Sequence, residues 1–196
     1  MSLAFSFIFP FLLVMALLQL GTSLFGTLRG WRPTLIIMLI SAFIVLIPVA
    51  GLPLARWIIS FNANFSISLT AILFYKVTEN SSGVKLLDKN ALLTCWVFSL
   101  TAGVILYPMA LGLGGFDPYQ AGWGFSWLFA VMCGVTILLL IMKNRFAVVL
   151  IAAILAYNFH LLESTNFWDY LVDPFMVLVS CIALIRVLLR RLGKRT

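Results

Sequence analysis

Seven apolar runs follow one another with only short polar breaks, near residues 3–20, 34–51, 57–76, 91–111, 125–142, 146–162 and 174–189. A helix needs roughly 20 apolar residues to cross the hydrocarbon core of a bilayer. Seven such helices consume nearly all of a 196-residue chain. Only 10% of the residues are charged and 63% are hydrophobic, whereas a water-soluble domain carries about a quarter charged residues. Nineteen charged side chains cannot cover that much apolar surface, so lipid is the expected solvent. The expected fold is all-α, a polytopic transmembrane bundle of about seven helices forming one integral domain over residues 1–196. No room remains for a soluble catalytic domain of ordinary size.

The distribution of charge predicts an orientation. Arg29, Arg32, Lys76, Lys85, Lys89, Lys143, Arg145, Arg186, Arg190, Arg191, Lys194 and Arg195 fall on one side of the seven crossings, and Arg56 alone on the other. The acids lean the opposite way, with Asp117, Glu163, Asp169 and Asp173 opposite the basic side and Glu79 and Asp88 on it. Because cytoplasmic loops collect Lys and Arg, the N-terminus is expected outside and the C-terminus inside. Trp57, Phe116, Tyr119, Trp123, Phe167, Trp168 and Tyr170 gather at the outer level, where amphipathic rings are favoured. The third run is the most polar, with Ser60, Asn62, Asn64, Ser66 and Ser68, and reads either as a full span or as an interfacial piece followed by a short span. Residues Thr78 to Asn90 read as the longest loop, and Pro10, Pro48 and Pro108 as bends in helices one, two and four.

The net charge of +7 does not signal nucleic acid, because the basic residues sit in turns and a tail beside apolar helices. Cys95, Cys133 and Cys181 are isolated within apolar runs, so neither a zinc site nor a redox dithiol is expected. No lysine in the last run could carry a retinal Schiff base, and one histidine cannot assemble a multi-histidine zinc site. No charged residue lies near the middle of any run, where proton relays and ion-coupled carriers place theirs. No cofactor and no metal are expected.

The stretch from Tyr157 to Pro174 holds the only histidine and three of the six acids. At helical spacing His160 and Glu163 would share a face, close enough for a general base or a structural hydrogen bond. With Asp117 they are the catalytic candidates of the chain. The plainer reading of the neighbouring residues is capping. Asn166 with Asp169 resembles an N-cap and its N3 partner opening a short helix. Asp173-Pro174 and Asp117-Pro118 resemble N-caps before a proline at N1. A glycine-rich outer loop from Gly112 to Gly124 brings Tyr119, Gln120 and Trp123 to the headgroup level. Arg56, Tyr119, Trp123, His160, Glu163 and Asp169 are the candidate binding residues, with Arg56 expected to pair with an outer acid or a lipid phosphate.

Three functions fit these features. The leading one is a non-enzymatic membrane subunit or accessory protein of the bacterial inner membrane, binding lipid-like molecules or a larger polytopic partner, or its own copies, in envelope biogenesis. A small carrier or flippase would instead line a polar groove with Gln19, Asn62, Asn64 and Asn158. An intramembrane enzyme would act at the outer face through His160, Glu163 and Asp117.

Overall fold

A computed structural model describes residues 3–23 and 30–193. Arg29, Lys194 and Arg195, three of the basic residues that set the expected orientation, lie outside them. Among the described residues there are nine α-helices: α1 (Leu3–Ser23), α2 (Trp31–Leu46), α3 (Leu54–Ser60), α4 (Ile67–Ser82), α5 (Lys89–Ala110), α6 (Trp127–Ile141), α7 (Phe146–Asn158), α8 (Phe167–Leu171) and α9 (Pro174–Leu192). One of them, α5, is both long and apolar enough to cross a membrane on length and composition alone. Several apolar runs are longer than the helices they produce, because hydropathy continues into the turns. Sixteen residues of α2, for example, rise about 24 Å.

The structure departs from the expected boundaries where local chemistry competes with the helix. The third run divides: α3 ends at Ser60, and α4 begins only at Ile67. Within the break, the Asn62 side-chain oxygen accepts the Asn64 N–H at 3.0 Å, an Asx turn that offers the backbone an alternative to helix. The expected loop from Thr78 shortens, since α4 runs on to Ser82. Pro48 bends no helix: α2 stops at Leu46. Pro48–Val49 and Leu52–Pro53 instead pair as a minimal hairpin. Its two central residues, Ala50 and Gly51, both have positive φ, the geometry that matches the twist of tight hairpins. Pro10 and Pro108 do lie inside α1 and α5.

Two compact units form. The first comprises residues 1–65, 70–86 and 161–163. Here Val14, Val45 and Ala55 make one core cluster, and Met15, Ile37 and Val77 another. Phe9 stacks on Phe65 with ring centroids 3.7 Å apart. The buried Gln19 binds the far half of α4: its amide donates to Ser81 Oγ at 2.8 Å and to the Val77 carbonyl at 3.4 Å, and its oxygen accepts from Asn80 at 3.3 Å.

The second unit comprises residues 66–69, 87–160 and 164–196. Helices α5 and α9 pack so closely at Gly103 that a Cβ there would lie 2.2 Å from Val177 Cγ2. The turn of Lys143, Asn144 and Arg145 reverses the chain between α6 and α7. Lys143 takes a left-handed conformation, while Asn144 accepts the Phe146 N–H at 3.0 Å and donates to Thr94 Oγ1 at 2.8 Å. That last bond ties the turn to the first part of α5.

Three buried hydroxyls inside the helices close on their own backbone. Ser41, Thr136 and Ser180 are buried, and each hydroxyl donates to the carbonyl four residues earlier at 2.7 Å. The bond satisfies the hydroxyl without a partner from another helix.

A methyl group at position 103 has no space. Gly103→Ala is expected to lower stability by about 1–3 kcal/mol through overpacking, although alanine is the better helix former. Adding Val177→Ala should return most of that loss. Thermal melts of the single and double variants in detergent check both; a stabilised single variant would refute the close approach.

Candidate functional site

Besides Asp88, which caps α5, three Asx residues in the second unit start helical turns, and each does so with its own side chain. Asp117 accepts the Tyr119 N–H at 2.9 Å and opens a 3-10 turn over Pro118–Gly122. The Asn166 oxygen accepts the Trp168 N–H at 3.0 Å and opens α8. Asp173 Oδ1 accepts from Phe175 and Met176, at 2.8 and 3.0 Å, and opens α9. After both aspartates comes proline, whose missing N–H costs nothing at a helix start.

These starts are then bound to each other. The Asn166 amide donates to the Tyr119 carbonyl at 3.0 Å, and Trp168 Nε1 donates to the Pro118 carbonyl at 2.9 Å. Tyr119 Oη donates to the Asp169 carboxylate at 2.9 Å. Trp123 pairs with Asn166 as an isolated antiparallel bridge, and its ring meets Tyr119 edge-on with centroids 6.1 Å apart. Gly122 makes room for this, since a Cβ there would fall 1.8 Å from Asn166 Oδ1. Asn166 is fully buried. Beneath it Phe129, Tyr157, Phe167 and Tyr170 form an aromatic floor, with centroids of neighbouring rings 4.9 to 6.3 Å apart. Asp169 therefore does not complete a capping box with Asn166. The Asn166 N–H donates instead to Ser164 Oγ at 2.9 Å, which frees the carboxylate for Tyr119.

Asp173 reaches beyond its own helix. Its Oδ2 accepts the Ser66 N–H at 2.8 Å, and the Ser66 hydroxyl bonds it too, so a single carboxylate holds the start of α9 and the residue that precedes α4. Burial raises its pKa above the ordinary carboxylate range, against the pull of these hydrogen bonds. Burial also raises the pKa of Tyr119, and the Asp169 charge beside it adds to the effect. The Tyr119 hydroxyl stays protonated and acts as a donor.

The helical face expected to join His160 and Glu163 does not form. Helix α7 ends at Asn158, so His160 and Glu163 do not share a helical face. His160 is exposed, has φ of +50°, and gives its N–H to the Tyr157 carbonyl at 3.0 Å. That is the left-handed residue that terminates a helix, a place where histidine is tolerated better than most side chains. Glu163 is exposed, and Asp117 is committed to its turn. No three His, Cys, Asp or Glu side chains gather among the described residues in a way that could hold a metal. Arg56, in the first unit, lies over the Phe7 ring at 6.0 Å rather than in an ion pair; among the described residues the ion pair found is Lys76 with Glu79, at 2.9 Å.

What the cluster offers is a rigid, aromatic, acidic surface. Tyr119, Trp123, Trp168 and Asp169 remain partly or largely open, while Asn166, Pro118 and Gly122 beneath them are buried. Such a platform can hold amphipathic molecules or pack on a partner. Sequence reading placed Asn166 only as a cap, Ser66 only among the polar residues of the third run, and Gly122 only within the glycine-rich loop. Their roles rest on contacts across 47 and 107 positions, which no local pattern announces.

Asn166→Ala strands the Trp168 N–H and the Tyr119 carbonyl together and should cost about 2–4 kcal/mol in a thermal or denaturant melt. His160→Gly should leave stability unchanged or raise it by up to about 1 kcal/mol, because glycine takes positive φ without strain. A large loss in the glycine variant would show that the imidazole carries more than a chain reversal. No counterpart lends the site a role: no family model, curated protein or solved structure matches the chain.

Proposed function

We propose that this chain is a polytopic integral protein of the bacterial inner membrane, N-terminus out and C-terminus in. In this reading it acts without catalysis, as a subunit or accessory protein that holds lipid-like molecules or a larger membrane partner at its outer face. The observation that carries the proposal is the outward display of bulky apolar side chains along the helices. Leu39 and Phe43 on α2, Leu138 and Ile141 on α6, and Leu178 and Leu188 on α9 are all more than half exposed, Phe43 at 71% and Ile141 at 73%. A water-soluble protein rarely leaves apolar patches of that extent uncovered.

Charge segregation within the second unit supports the orientation. Lys89, Arg190 and Arg191 line one cavity, and the Asn144–Thr94 bond ties the turn that holds Lys143 and Arg145 to the first part of α5. Asp117 and Asp169 lie instead in the Tyr119 cluster, beyond the last turn of α5. The shorter helices α2, α6 and α7, at 16, 15 and 13 residues, fit a bilayer thinned locally or reached by flanking turns. The carrier alternative draws less support, because Gln19 is engaged with α4 and the exposed Asn158 donates to its own Ile154 carbonyl at 2.8 Å. An enzyme draws less still, for want of a converging site.

The reading fixes which loops face which compartment. With the native cysteines replaced, Phe116→Cys should react with a membrane-impermeant maleimide in intact spheroplasts, and Val84→Cys only after permeabilisation. The chain should stay in the pellet after alkaline carbonate extraction, and mild detergent should release it with bound lipid or a partner. Extraction by carbonate, or the inverse labelling pattern, would sink the topology. A lone monomer free of lipid and partner would sink the accessory role.

A further inference from the structure

The basic ends of α5 and α9 line an open groove-like cavity of about 670 Å³, distinct from the aromatic cluster. Lys89, the first residue of α5, and Arg190 and Arg191, in the last turn of α9, supply its cationic rim. Its inner wall is apolar, formed by Leu93, Trp96 and Val187. No carboxylate lines it, and the adjacent Asp88 accepts the Asn90 N–H at 3.3 Å as the cap of α5. Three cations brought together without an acid repel one another and favour an anion between them.

We infer that this cavity binds one acidic glycerophospholipid, its phosphate held by Lys89, Arg190 and Arg191 and an acyl chain laid along Leu93, Trp96 and Val187. The inference rests on the membrane reading above and names a ligand class on the cytoplasmic leaflet, opposite the outer cluster. Two features choose lipid over free phosphate. The cavity is larger than a phosphate needs, and its wall is apolar where a soluble anion would be met by more donors. Guanidinium groups match phosphate oxygens in a planar, two-point fashion that an ammonium cannot. A tryptophan at the level of the headgroup is the usual neighbour of such a contact. Val97, Val104 and Ile105, all about half exposed or more on α5, continue the apolar surface away from the rim.

The test uses the full chain, purified in mild detergent and exchanged into mixed micelles of phosphatidylcholine and phosphatidylglycerol. The unaltered chain should retain phosphatidylglycerol in preference, and K89Q/R190Q/R191Q should lower that retention about tenfold or more. K143Q/R145Q, which removes charge elsewhere on the same side, should retain as the unaltered chain does. Equal retention by the triple variant, or an equal loss in the control, overturns the site. Displacement of the lipid by excess inorganic phosphate overturns the lipid in favour of a soluble anion. If the triple variant aggregates, Trp96 decides: phosphatidylglycerol with brominated chains must quench the fluorescence that W96F removes more strongly than brominated phosphatidylcholine, and equal quenching refutes the proposal. Carbonate extraction separates the two levels. A chain that stays in the pellet without lipid preference loses only this site, whereas one that is extracted loses the membrane reading as well.

Discussion

Of the six acidic side chains in the sequence, three accept backbone N–H groups at the start of a helical turn: Asp88, Asp117 and Asp173. The second unit depends on this economy. A helix start leaves four N–H groups without intrahelical partners, and no water reaches a buried one to repair the loss. Asp173 answers for two such places, its own helix and Ser66. Asn166 does the same work without a charge, and adds an amide that fastens α8 to the Pro118 turn. Remove either and a chain of pairings fails together, since each buried partner has been chosen for the other.

Between the helices a few hydroxyls and a glycine sit among large buried side chains such as Phe146, Leu150 and Met176. Ser41, Thr136 and Ser180 cost little to bury because each closes on the preceding turn. Gly103 lets two backbones approach without any polar bond at all. Gln19 is the exception. It is a long amide held at both ends, linking α1 to α4 across some sixty positions of sequence.

Much of the helical order was legible beforehand, because hydropathy locates a helix even when it misjudges its ends. Asp117-Pro118 and Asp173-Pro174 declared their caps, and Asn166 declared the start of α8. The break after Ser60, one of two readings left open for the polar third run, turns on an Asx bond at Asn62 that competes with helix. Two things stayed hidden, each for a physical reason. His160 ends α7 by adopting positive φ, which periodicity cannot reveal, so its expected partnership with Glu163 has no helix to carry it. Asp169 was expected to reach back to Asn166, yet Ser164 occupies that donor and Tyr119 claims the carboxylate from fifty residues away. Local spacing proposes hydrogen bonds; tertiary proximity decides which ones are made.

The seam at Gly103 also orders events in time. Helix α9 leaves the ribosome after α5, α6, α7 and α8, so α5 must wait with its notch unfilled until Val177 emerges. A nascent chain stalled before α9 therefore leaves the notch at Gly103 without the side chain that fills it.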